Sequence, residues 1–380
     1  MRTFSLLFVI LVVLVSCTEN DVTKPAEDEE TDFTVSAQMD GPYIFYEDTG
    51  LKSYFKDVKG KLRSEAVSFG DVLKVIAPYR DPQEFEFTLE EQLPETIVES
   101  NDGNKIFAVS DIEGNYYALT KLLMGNGVVD AGLNWTYGSN HLVFNGDMVD
   151  RGRFVTQVLW MMYKLDYQAQ KAGGKVHFIL GNHDVMCMAG DSRYADDKYL
   201  DMADRLGIEY KELYGESAVI GRWMRSKNTV EKINGFIFVH AGISPDVLDL
   251  NMALDEINEA MKPYYGKRID DSVPEKAYKL FKTSGVLWYR GYVKSKEGSY
   301  SKAGIDDVND VLTKYGAKSI IVGHSIVDEI SVKYGGKVVT MDVHHPDGKS
   351  SSLKFQALLI EGNSLYRVDE KGTKTLLEKY

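Results

Sequence analysis

Residues 145–151 read Asn145-Gly146-Asp147-Met148-Val149-Asp150-Arg151, two carboxylates three positions apart with an arginine beside them. The stretch follows the apolar run His141-Leu142-Val143-Phe144 and precedes a long helical pattern. A strand ending in such a loop is where open α/β sheets hold ligands. Three further stretches repeat the grammar of apolar strand and polar punctuation: Phe107 to Asn115, Phe178 to Asp184, and Ile320 to Ser325. A fifth, Phe236-Ile237-Phe238-Val239-His240-Ala241-Gly242, ends its strand in a histidine. In order, the strand ends deliver Asp111 and Glu113, Asp147, Asn182, His240 and His324.

Oxygen and imidazole donors without cysteine suit two adjacent divalent cations. Asp147 stands between the flanking sets and is the natural bridging ligand. Two cations about 3.5–4 Å apart can generate a hydroxide nucleophile and clamp both oxygens of an in-line displacement. Asp150 and His183 have a separate task, because an imidazole oriented by a carboxylate can protonate a leaving alkoxide or phenoxide. Arg151 and Arg290 offer planar forks for phosphate oxygens. Each of these side chains taken alone reads as a loop cap or a satisfied core polar group; the ordered set does not. Arg193, Lys198 and Arg222 are further candidates to grip substrate, with Asp191 and Tyr194 fixing their loop. His344-His345 reads as an exposed pair.

The elements that must position these groups follow from periodicity. A helix is expected near Asn115 to Met124, and a longer one over Arg153 to Lys171 has Val155, Val158, Leu159, Met162 and Leu165 at helical spacing. Its Met and Trp side chains read as core. Lys175 to Leu180 is the next strand. Residues 187–232 read as a mainly helical insertion that builds the rim of the site. Residues 250–315 are again mostly helical, and strands return at 318–322, 330–334, 337–343 and 352–360. Alternating strand and helix followed by an antiparallel run predicts two mixed sheets packed together with helices outside. Residues 39–100 hold short β-like runs (Tyr43 to Tyr46, Leu73 to Ile76, Phe85 to Phe87) and read as a small β-rich extension without chemistry of its own.

The motifs Gly146-Asp147-Met148-Val149-Asp150-Arg151-Gly152, Gly181-Asn182-His183-Asp184, His240-Ala241-Gly242-Ile243-Ser244-Pro245 and Gly323-His324 resemble those of the calcineurin-like metallophosphoesterases. Within them the sequence is similar to the phosphoprotein phosphatase branch, near its Shewanella-like bacterial members, and Trp288-Tyr289-Arg290-Gly291 resembles that branch's second arginine motif. The resemblance implies an αββα sandwich over 104–380 and a dinuclear metal site, for which the donor set favours Mn, with Fe, Zn or Mg as alternatives. It also implies hydrolysis of phosphomonoesters, including phosphotyrosine or phosphoserine/threonine in proteins, by water. A nucleotide or dinucleoside polyphosphate hydrolase is the alternative enzyme; a surface binding lipoprotein with a decayed site is the alternative of another class. The family motif Asp-x-His-Gly is here Asp111-Ile112-Glu113-Gly114, a carboxylate where the imidazole belongs, which makes one site oxygen-only. Ser110 replaces the usual glycine and Asp184 the usual glutamate.

The 380-residue chain carries a formal net charge of −13, with no basic stripe, which argues against nucleic acid as a partner. Residues 1–16 read as a signal peptide, with Arg2 ahead of an apolar run too short to span a bilayer. Leu14-Val15-Ser16-Cys17 resembles the bacterial lipobox, so Cys17 is expected to anchor an exported lipoprotein at the periplasmic side of the envelope or the cell surface. Residues 17–38 read as a flexible acidic tether. Cys187 is then the sole free thiol and reads as a buried small hydrophobe.

Overall fold

The computed structural model describes residues 39–78, 83–345 and 355–380. The expected signal peptide, Cys17 and the tether lie outside the described residues. The N-terminal strands are β1 (Asp40–Glu47), β2 (Gly50–Lys56), β3 (Leu62–Val67), β4 (Val72–Ala77), β5 (Gln83–Thr88) and β6 (Glu99–Ser100). From there β7 (Ile106–Val109), α1 (Tyr116–Gly125), β8 (His141–Phe144), α2 (Val155–Lys171), β9 (Lys175–Phe178) and α3 (Asn182–Met188) alternate. Next come α4 (Asp197–Leu206), α5 (Val219–Arg225), β10 (Val230–Ile233), β11 (Phe236–Val239), α6 (Pro245–Leu248), α7 (Leu254–Met261), α8 (Glu275–Phe281) and α9 (Ile305–Tyr315). The chain closes with β12 (Ser319–Val322), β13 (Ser331–Lys333), β14 (Val338–Thr340), β15 (Ala357–Glu361), β16 (Ser364–Val368) and β17 (Lys374–Lys379).

Two six-stranded mixed sheets form the body, ordered β13-β14-β12-β11-β10-β6 and β17-β16-β15-β7-β8-β9. The strands β7, β8, β11 and β12 are buried along their whole length and mostly apolar, because both faces are covered. Phe107, Val109, Leu142, Phe144, Ile237, Val239, Ile320 and Val322 belong to the helix-side core. Their alternating neighbours Ile106, Ala108, Val143, Phe236, Phe238 and Ile321 form a second core between the sheets. A period of two thus sends successive side chains to opposite layers.

At the N-terminal ends of these strands a chain of side chains ties sheet to sheet. Asp102 accepts from His141 Nε2 at 3.0 Å, and His141 Nδ1 faces His177 Nε2 at 2.9 Å. His177 Nδ1 lies 2.5 Å from Glu231 Oε2, and Asn228 donates to the other Glu231 oxygen at 2.8 Å. His141, His177 and Glu231 are buried.

The β-rich extension packs on α2. Trp160 Nε1 donates to the Pro42 carbonyl at 2.7 Å and its ring stacks on Phe87 at 4.3 Å. The Met and Trp side chains of α2 are core, as their spacing predicts. The extension ends before residue 100, however: Glu99–Ser100 is β6, paired parallel with β10 inside the first sheet. The expected insertion over 187–232 likewise ends early, since β10 begins at Val230.

Candidate metal centre

The loops after β7 and β8 run side by side, extending the ladder beyond the strands. Asp111 N–H donates to the Gly146 carbonyl at 3.0 Å, Glu113 N–H to Asp147 at 2.9 Å and Gly114 N–H to Met148 at 3.0 Å. Within this paired loop Asp111, Glu113, Asp147, Asp150 and Arg151 all have positive φ, between 49° and 69°, and His324 joins them at 62°. Left-handed backbone at residues with a Cβ costs on the order of 1–2 kcal/mol each and clusters where function demands a side-chain direction. The motif glycines leave room for it. A Cβ on Gly146 would meet His240 Nδ1 at 2.3 Å, and one on Gly323 would meet an Asp111 carboxylate oxygen at 2.3 Å.

Two groups of ligand atoms result, each lying within 4.8 Å of one another: Asp111, Glu113 and Asp147, and Asp147, His240 and His324. Asp147 is common to both. Asn182 completes the second group, its Oδ1 3.1 Å from His240 Nε2, which is also 3.1 Å from Asp147 Oδ2. His240 Nδ1 donates to the Asn145 carbonyl at 2.9 Å, which turns Nε2 to the centre. Among the described residues, His324 Nε2 is buried without a hydrogen-bond partner.

The electrostatics of the site favour a positive ion between these groups. Burial, then the charge of Asp342, pushes Asp111 well above the usual carboxylate range. Burial raises Asp147 as well, but His240 outweighs it and holds that carboxyl low. Burial would depress His240, yet Asp147 raises it to about 10. His324 is driven well below its ordinary value by burial and by the positive charge of His240 and Arg290. Crowded acids that cannot all ionise, beside a buried imidazole nitrogen with no donor, fit divalent cations.

His183 and Asp150 sit next to this centre. Asp150 Oδ2 accepts from His183 Nδ1 at 2.7 Å, and Arg151 Nη2 lies 3.2 Å from His183 Nε2. Arg151 also pairs with Glu113 Oε1, so that carboxylate has two claimants. Arg290 donates to the His324 carbonyl, and Trp288 stands perpendicular to the His324 ring at 5.8 Å. All ten residues singled out in the sequence for catalysis or metal binding therefore meet at one end of the sandwich.

Other candidates do not arrive there free. Lys198 is largely covered, its side chain 12% exposed, and pairs with Asp40 of β1 at 3.0 Å. Arg222 lies over the Tyr46 ring at 3.5 Å and donates to the Glu216 carbonyl at 2.5 Å. Both fasten the N-terminal sheet to the insertion instead of facing substrate. Arg193 is held by Asp191 at 2.6 Å. The His344-His345 pair divides: His344 is exposed, but His345 is buried and stacks near Phe355. Cys187 is fully buried, donating to the Asp184 carbonyl.

Two residues to which the sequence assigns no role also belong to the site. Asp184 accepts from the N–H groups of Gly181, Asp147 and Met148 at 2.8, 2.9 and 3.1 Å, which knits the two central loops. Its position at the third residue of α3, where a carboxylate satisfies helix N–H groups, was the available signal. Asp342 follows β14, which runs parallel to β12 in the register Val322 to Thr340, so it emerges beside His324. Burial and the Asp147 charge push it up to about 6. The strand Val338 to Met341 ending in an acid repeats the grammar of the other loops.

Residues 104–328 match the calcineurin-like phosphoesterase family. An uncharacterised protein of Schizosaccharomyces pombe is 27% identical over 226 residues, 58% of this chain and 66% of that protein. The Shewanella-like protein phosphatase 1 of Plasmodium berghei is 28% identical over 230 residues, 58% of this chain and 61% of that one. The chain thus spans a little under two thirds of the length of these curated relatives. Among solved structures, the cold-active protein-tyrosine phosphatase of a psychrophilic Shewanella species is 30% identical, with a TM-score of 0.77 over 90% of this chain and 99% of that one. With its two mixed sheets, its paired strand-end loops and this match, the chain belongs to the calcineurin-like phosphoesterases.

Proposed function

We propose that the protein is a phosphomonoesterase acting on phosphoproteins, with phosphotyrosine its preferred substrate. The observation that carries this reading is the pair of ligand groups sharing Asp147, with the His183–Asp150 couple directly beside them. The tyrosine preference is supported by the Shewanella structure, named a protein-tyrosine phosphatase, which this chain covers almost completely.

Asp111, Glu113 and Asp147 would hold one cation, and Asp147, Asn182, His240 and His324 the other. When bound, such ions supply Lewis-acid polarisation of the phosphoryl group and a water deprotonated near neutral pH. The rest falls to side chains. Arg151 and Arg290 clamp phosphoryl oxygens through paired N–H groups. His183, its Nδ1–H held by Asp150, presents Nε2 toward Arg151. A phosphate that engages the guanidinium frees Nε2 to carry a proton to the leaving oxygen. Glu113 belongs to both halves, since its carboxylate pairs with Arg151 and also lies within the first group of ligand atoms.

Its donor set makes the first site oxygen-only, so we assign Mn²⁺ or Mg²⁺ there in preference to Zn²⁺. Export and anchoring at Cys17 belong to the same reading, supported by Leu14-Val15-Ser16-Cys17 and the acidic stretch after it. Turnover of a phosphotyrosine peptide, a phosphoserine peptide and a dinucleoside polyphosphate by Mn²⁺-loaded protein tests the assignment. Faster hydrolysis of the dinucleotide than of either peptide would overturn it.

A further inference from the structure

An exposed aromatic ring stands on the leaving-group side of the site. Tyr194 is 43% exposed. Its ring centroid is 4.9 Å from that of His183, the planes inclined at 64°. The Arg151 guanidinium lies 5.3 Å from the ring centroid and that of Arg193 5.7 Å. The ring is held in place, since Arg151 N–H donates to the Tyr194 carbonyl at 2.8 Å and Ala195 N–H closes a turn on Ser192. Arg193 is itself locked to Asp191 through Nε and Nη2.

We propose that Tyr194 is the aromatic wall against which the phenyl ring of a phosphotyrosine substrate packs, making it the residue that separates aryl from alkyl phosphates. This rests on the phosphatase reading above. The general acid fixes where the ester oxygen must lie, within about 2.6–3.2 Å of His183 Nε2. In an aryl phosphate the ring carbons begin one bond beyond that oxygen, at the distance where the Tyr194 ring borders His183. Offset or edge-on contact between two such rings adds to simple burial, and the flanking guanidinium groups polarise the ring's faces. A phosphoserine places a single methylene there, too little to reach across. The wall therefore acts on one leaving-group class.

The test uses Tyr194→Ala and Tyr194→Phe in the Mn²⁺-loaded full chain. Phosphotyrosine and phosphoserine peptides of identical flanking sequence are compared. Tyr194→Ala is expected to lower the ratio of kcat/KM for phosphotyrosine over phosphoserine about tenfold, ~1.4 kcal/mol, with the loss carried by KM. Tyr194→Phe, which keeps the ring, is expected to restore the ratio. Titration with a non-hydrolysable phosphonate analogue of the phosphotyrosine peptide should show the same tenfold weakening as Kd, independently of turnover. An equal fall on both peptides would make Tyr194 only a support for His183 and overturn the inference, as would an unchanged ratio. Wild-type protein that hydrolyses neither peptide would overturn the phosphatase reading and the inference together.

Discussion

Replacing His183 with asparagine isolates the proton-transfer step. The ring is buried, bonded through Nδ1 to Asp150 at 2.7 Å, with Nε2 beside Arg151. Asparagine removes Nε2 and shortens the side chain, so no donor is left at the leaving oxygen. Proton transfer by a positioned group is worth about 10²–10⁴-fold, or ~2.7–5.5 kcal/mol of barrier. On a phosphoserine peptide, whose alkoxide must be protonated to leave, kcat is expected to fall by that factor. On p-nitrophenyl phosphate, whose leaving group scarcely needs a proton, the fall should stay within about tenfold. A structural cost accompanies the change. Asp150 Oδ1 already has no partner among the described residues and Oδ2 would lose its own, and an uncompensated buried carboxylate costs about 3–5 kcal/mol. Urea unfolding therefore accompanies the kinetics, and Asp150→Asn/His183→Asn, which removes the orphaned charge, should recover stability without recovering rate. Equal losses on both substrates in a folded variant would refute the reasoning.

Glu113→His introduces an imidazole into the oxygen-only site and frees Arg151 from its carboxylate partner; metal titration should show the preference moving from Mn²⁺ toward Zn²⁺, and an unmoved preference would make Glu113 a partner of Arg151 alone. Cys17→Ala should shift the protein from the membrane to the soluble fraction, which fractionation and immunoblotting would follow. Asp102 gives a pH prediction: burial pushes its carboxyl up, but the His141 hydrogen bond prevails and holds it at about 2. A depressed carboxylate stabilises the fold above its unfolded value of about 3.9, and that contribution is lost as the pH falls toward 2. With the side chain 43% exposed, solvent screening limits the effect to ~1 kcal/mol. Asp102→Asn should thus lower the urea midpoint at pH 5 and converge with wild type near pH 2.

Much of this molecule can be read from its sequence because the site sits at strand ends, where apolar run and polar loop adjoin. Asp111, Asp147, Asn182, His240 and His324 announce themselves that way, and the two-sided burial of their strands makes the runs continuous. Asp342 has the same signature, but its loop continues at once into His344-His345, whose imidazoles are the more obvious ligand types. What stayed illegible depends on distant pairing. Lys198 and Arg222 look like free cations until β1 brings Asp40 and Tyr46 against them. The two-residue β6 has no periodicity to detect and exists only because β10 lies beside it. β16 and β17 mix polar and apolar residues without clear alternation, and they are strands because β15 offers an edge to extend. The strain at six residues of positive φ is likewise invisible locally, since the neighbouring loop imposes it.

The central claim is that two cations share Asp147. Metal content per chain, measured by elemental analysis after reconstitution with Mn²⁺ and desalting, tests it most directly when wild type and Asp147→Asn are compared. Two equivalents in the wild type, falling below one in the variant, is the result expected of a shared bridging ligand. One equivalent or fewer in the wild type, or two retained by Asp147→Asn, would contradict the dinuclear site.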